Sequence, residues 1–84
     1  MKPYRLMKKM LRGDLANVAF DDLIRLLLAL GFREIQGRGS HRKFVREDIP
    51  GLVSLQPERG DAKLYQIRQI ADLIRRYNLK LEEE

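Results

Sequence analysis

The 84-residue chain contains no cysteine. That absence removes a disulfide framework, a thiol nucleophile and a thiolate metal site together. It fits a reducing compartment, and a cytoplasmic location is expected. Long apolar runs are also missing. The longest, at 26–30, is far below the ~20 residues of a membrane span. The basic stretch 1–12 is not followed by the uninterrupted apolar segment of a signal peptide, so neither secretion nor a membrane partner is expected. Histidine occurs once. One imidazole, no thiol and scattered carboxylates give no ligand spacing, so no metal and no small-molecule cofactor is expected. The length suits one domain over 1–84, with a small core that buries only about 60% of the unfolded surface.

What is abundant is positive charge. Lysine and arginine number 17 against 12 acids, for a formal charge of +5. Three of the acids form the run at 82–84; without it the balance is 17 to 9, or +8. Such a body suits an anionic partner, nucleic acid first among them. A soluble protein that is merely basic is the plain alternative, because net charge speaks to association and not to chemistry.

Apolar spacing predicts a first helix over 3–12, with Tyr4, Met7, Met10 and Leu11 on one side and lysines and arginines on the others. A second helix over 20–30 carries Phe20, Leu23, Ile24, Leu27, Leu28 and Leu30 as its stripe. Asp21 and Asp22 suit its first turn, and Gly31 suits a left-handed C-terminal cap. Three short strands are expected at 32–36, 40–46 and 52–56, joined by the glycine turn 37–39 and a turn over 47–51. A loop at 57–61 leads to a last helix over 62–77, capped by Asp61; the segment from Asn78 onward is expected to fray. The order α-α-β-β-β-α is an α+β arrangement, a three-stranded antiparallel sheet with helices packed on one face.

Strand alternation then sorts the side chains. Phe44 should face the helices, joined by Val53 and Leu55, with Arg42 on that side near the strand start. His41 and Lys43 should share the open face with Ser54 and Gln56. Residues 33–46 hold five basic side chains and one acid around the lone histidine, a density suited to phosphate. Arg38, Gly39, Ser40, Arg42 and Lys43 are candidate RNA contacts. Lys63, at the start of the last helix, is another, since a helix N-terminus attracts phosphate; an ordinary solvated lysine is the alternative. Tyr65 lies off its helix stripe and is a candidate for stacking on a base.

His41 admits two readings. One is an ordinary surface histidine. The other is a general acid–base, because imidazole takes and gives protons near neutrality. RNA carries its own nucleophile, the 2′-hydroxyl beside the scissile phosphate. The protein need only move two protons and stabilise charge on phosphorus.

The residues that follow carry a resemblance. Leu27-Leu28-x-Leu30-Gly31-Phe32, a short turn, and then Gly39-Ser40-His41-Arg42-x-Phe44 resemble the signature of the HicA family of toxin–antitoxin systems. Leu55-Gln56-Pro57 and the stretch from Lys63 to Ile70 are similar to one branch of it. The similarity covers about 17–78, leaving 3–12 as an extra N-terminal helix and 79–84 as an acidic tail. It implies a fold like a double-stranded-RNA-binding domain and metal-independent endoribonuclease activity on mRNA. It also implies His41 as the catalytic residue and a HicB-type antitoxin as the silencing partner. One departure stands out. Many members carry Pro-x-His after the third strand, and here Gln56-Pro57-Glu58 lacks that histidine. The second proton role then falls to Lys43, the substrate or water. Two other functions remain open at this point: a non-catalytic RNA-binding module on the same fold, and a protein-interaction subunit using the acidic tail and the first helix.

Overall fold

The computed structural model describes residues 1–37 and 39–81. Its elements are α1 (Pro3–Leu11), α2 (Phe20–Ala29), β1 (Arg33–Ile35), β2 (Arg42–Arg46), β3 (Ile49–Leu55) and α3 (Leu64–Arg76). The order is the expected α-α-β-β-β-α. The strands form one antiparallel sheet in the order β1-β2-β3. This architecture is compatible with a double-stranded-RNA-binding-domain-like fold. No helix among the described residues is long and apolar enough to cross a membrane.

α1 begins with Pro3 in its first turn, where the missing N–H costs no helix bond. It buries Leu6, Met7 and Met10, while Tyr4 and Leu11 are only partly covered. In α2 the buried arc differs from the expected stripe by two leucines. Leu26 is fully buried and Leu28 is half exposed. At about 100° per residue, Leu26 falls beside Leu23 and Leu30, whereas Leu28 turns past Ile24 toward solvent.

The C-terminus of α2 closes as expected. Gly31 adopts φ +92°. Its N–H donates to Leu28 O at 3.1 Å and the Phe32 N–H donates to Leu27 O at 3.0 Å, the paired bonds of a Schellman motif. α3 ends the same way with Asn78 in place of glycine: φ is +52°, and Leu79 N donates to Ile74 O at 2.9 Å. The expectation of fraying from Asn78 is therefore corrected. Leu79 is buried and Leu81 packs partly on the core. The glutamates at 82–84 lie outside the described residues.

Two further expectations change. β3 starts at Ile49, not at 52, because the β2–β3 turn is only Glu47-Asp48. Phe44 pairs with Val53 and Arg46 with Ile49, so β3 carries two extra residues in between. The resulting bulge holds Pro50 and Gly51. β3 is an edge strand, where a proline need not donate to a ladder. Asp61 does not cap α3. Its backbone exchanges bonds with Glu58 at 2.9 and 2.8 Å, and the neighbouring Gly60 O and Ala62 N bond Phe20 N and Val18 O. The 57–62 loop is thus stitched to the entry of α2, and α3 starts two residues later than expected, at Leu64.

Phe44, Val53 and Leu55 are buried with the helix stripes in a single apolar cluster. The face assignment from alternation therefore holds. The opposite face presents Arg33, Ile35, Lys43, Val45 and Ser54, in register across the three strands.

Candidate functional site

The turn before β2 is narrow because residue 37 has no side chain. A Cβ on Gly37 would stand 2.3 Å from the His41 carbonyl oxygen, a distance no side chain tolerates. The chain can therefore fold back on itself between β1 and β2, leaving Gly39, Ser40 and His41 exposed at the tip. His41 directly precedes β2 and shares the strand parity of Lys43. Lys43 pairs with Ile35 on one side and Ser54 on the other, which puts it on the open face. Arg38 lies outside the described residues.

Ser40 is held from across the sheet end. Gln56, just past β3, donates from Nε2 to Ser40 Oγ at 2.9 Å. That geometry leaves the serine hydroxyl proton available for another acceptor. Gln56 is in turn fixed by Gln66, the one buried polar side chain among the described residues. With its amide oxygen toward the strand, Gln66 accepts from Gln56 N at 3.0 Å and donates to Gln56 O at 3.2 Å. An unmade bond at such a depth costs roughly 1–3 kcal/mol, so the pair locks the first turn of α3 to the end of β3. Lys63, half-buried at the start of α3, is thereby carried to the same end of the sheet as Ser40 and His41.

The four described cations of 33–46 do not act as one cluster. Arg42 lies on the core-side face, where Nε and Nη2 donate to Glu34 Oε2 and Oε1 at 2.8 and 2.7 Å. The hydrogen bond from Arg42 holds the Glu34 carboxyl below the usual carboxylate range. The same bond raises the Arg42 guanidinium above its ordinary value. Arg46, at the far end of β2, donates to Leu30 O at 2.9 Å and pairs with Asp48 at 2.8 Å. Arg33 and Lys43 make no ion pair among the described residues and stand on the open face with the histidine.

Gln56 and Gln66 were not among the residues singled out from sequence as candidate contacts. A signal was present for Gln66: it lies one turn before Ile70, on the buried arc of α3, where a polar residue needs a buried partner. Tyr65 is 62% exposed, as its off-stripe position predicted, and it borders a shallow groove with Arg68, Gln69 and Arg76. Among the described residues no group of three or more histidines or carboxylates gathers. Chemically, the site offers an exposed imidazole for proton transfer, a serine hydroxyl, and the Lys43 ammonium for a phosphate oxygen.

Neither the curated proteins nor the solved structures give a significant match. The family description "HicA toxin of bacterial toxin-antitoxin" does match, over residues 20–78. The matched stretch runs from the start of α2 through the whole sheet to the end of α3 and leaves α1 outside. It takes in well over half of the chain, and the protein therefore belongs to the HicA family, the toxins of bacterial toxin–antitoxin systems.

Proposed function

We propose that this toxin is a metal-independent endoribonuclease that cleaves mRNA, with His41 as its general acid–base, and that a HicB-type antitoxin silences it by covering the open face. The observation that carries the reading is the exposed position of the only imidazole, at the tip of a turn closed by Gly37 and tied by Ser40 to Gln56.

In the proposed reaction His41 removes the proton of a 2′-hydroxyl. The freed oxygen attacks the adjacent phosphorus, the bond to the 5′-oxygen breaks, and that oxygen takes up a proton. The products are a 2′,3′-cyclic phosphate and a 5′-hydroxyl. Lys43 or water supplies the second proton, since no other histidine exists. Lys43, the Ser40 hydroxyl and backbone N–H groups at Gly39 stabilise the phosphorane. Arg38 and Lys63 hold flanking phosphates. Arg42 contributes least, because its Nε and Nη2 already donate to Glu34.

The test is purified protein with RNA in the presence of a chelator, wild type against His41→Ala. Acid–base help of this kind is worth about 10²–10⁴-fold. Cyclic-phosphate ends from the wild type and a loss of that size in the variant are expected. Equal cleavage by both proteins would remove His41 from the chemistry. A second reading, a non-catalytic RNA-binding module, draws on the same single imidazole. It predicts salt-sensitive RNA binding with no cleavage by either protein.

A further inference from the structure

We infer that α1 and the adjacent wall of α2 form a second RNA-backbone site, separate from the His41 end of the sheet. Leu6, Met7 and Met10 anchor α1 in the core. Its outer side carries Lys2, Arg5, Lys8 and Arg12, all exposed and spaced by three or four residues. They form a row about 15 Å long. Arg25 of α2 faces the row, and the two helices enclose an open groove of about 910 Å³ with no carboxylate among its described lining residues.

The cations in the groove differ from their neighbour Lys9. Lys9 is turned away to the linker, where it bonds the carbonyls of Asp14 and Ala16 and pairs with the Asp14 carboxylate at 3.4 Å. Lys2, Arg5, Lys8 and Arg12 form no ion pair among the described residues. Lys8 lies 5.8 Å above the Tyr4 ring, which keeps its ammonium at the groove wall. Arg25 shares Asp22 with the N-terminal amine at the groove's end. The guanidinium forks of Arg5, Arg12 and Arg25 suit a succession of phosphates, each able to take two parallel bonds. A protein partner would need a central apolar anchor. Of the large exposed apolar side chains described, only Met1 borders this groove, while Leu28, Leu52, Leu64 and Tyr65 lie elsewhere. RNA is therefore the occupant. α1 stands outside the segment that matches the family, so this grip is an addition to the family core. It does not depend on the role given to His41.

The test uses a 2′-O-methyl oligoribonucleotide, which lacks the nucleophile and cannot be cleaved by the proposed route. Its affinity is measured from about 50 to 200 mM salt for the wild type and for Arg5→Gln/Lys8→Gln/Arg12→Gln, with circular dichroism as the check on folding. Removing three phosphate contacts should lower the log–log salt slope by about 2. It should also weaken binding about tenfold or more at the lowest salt. Arg25→Gln, on a different helix, should by itself lower the slope by about 0.7, which keeps the test valid if the triple variant folds poorly. Unchanged slopes in both variants overturn the site, and so does an absence of wild-type binding. Loss of binding to polyglutamate with RNA binding intact also overturns it, by assigning the groove to an acidic polypeptide. Cleavage assays on the wild type and on His41→Ala are read separately: reduced slopes with no cleavage by either protein keep the groove and remove the ribonuclease, and wild-type cleavage with unchanged slopes does the reverse.

Discussion

The two ends of β2 are alike in sequence and opposite in structure. Both are basic, and both adjoin a turn. At the Arg46 end the strand's own arginine is engaged. The guanidinium closes the C-terminus of α2 through Leu30 O, pairs with Asp48, and leaves little charge for a partner. At the His41 end the open-face groups are presented, while Arg42 on the core-side face is held by Glu34. Backbone packing at Gly37 and the Gln56–Ser40 bond fix the chain, while the imidazole and Lys43 stay available. Charge density along a sequence is thus a poor guide to charge on a surface. What matters is which cations a carbonyl or carboxylate of the fold has already claimed.

That contrast can be broken most forcefully at Gly37. Gly37→Ala must push the His41 carbonyl away, a forced overpacking that costs about 1–3 kcal/mol. A drop in thermal midpoint is expected together with a loss of cleavage larger than the unfolded fraction explains. Wild-type stability and activity would show that the turn tip tolerates rearrangement. Arg46→Ala probes the opposite end. Loss of a charged bond to a part-buried carbonyl should cost about 1.5–3 kcal/mol, with the exposed Asp48 pair adding at most about 1. RNA affinity and cleavage rate, measured below the unfolding range, should not change. A fall in rate at full folding would erase the distinction between the two ends.

The smallest effect belongs to Glu34→Gln, which releases Arg42. Because the folded-state carboxyl titrates below its unfolded value, the ion pair stabilises at pH values above the unfolded pKa. That stability fades as pH falls through the folded one. Wild type and variant should differ in denaturant midpoint near neutrality and converge in acid. A difference independent of pH would show that the pair contributes packing and not charge. The same variant should bind RNA slightly more tightly if Arg42 is the claimed cation described above.

Much of this was legible from local pattern. Helix periods, the αL cap at Gly31 and strand alternation around Phe44 are short-range properties, and each placed its elements correctly. The errors share a longer range. Which carboxylate meets Arg42 depends on the Glu34–Phe44 register, and no local signal sets that. The early start of β3 depends on a two-residue bulge. Asp61 has the composition of a cap but is drawn into a bridge with the entry to α2. Leu26 and Leu28 exchanged roles because eight apolar positions in the eleven of 20–30 leave the centre of a stripe poorly defined. Within the candidate site, His41 and Ser40 were readable as neighbours, whereas the link from Ser40 through Gln56 to Gln66 joins three distant segments.

The Gln66 amide grips the main chain of residue 56 and makes no demand on that residue's side chain. Attachment and reach are therefore separable traits at this position. Any residue that supplies a backbone N–H and C=O can keep α3 seated against the sheet, while the group projected toward Ser40 is free to vary. The joint is a tolerant socket, and position 56 is the place where members of such a family can diversify the neighbourhood of the histidine without loosening the fold.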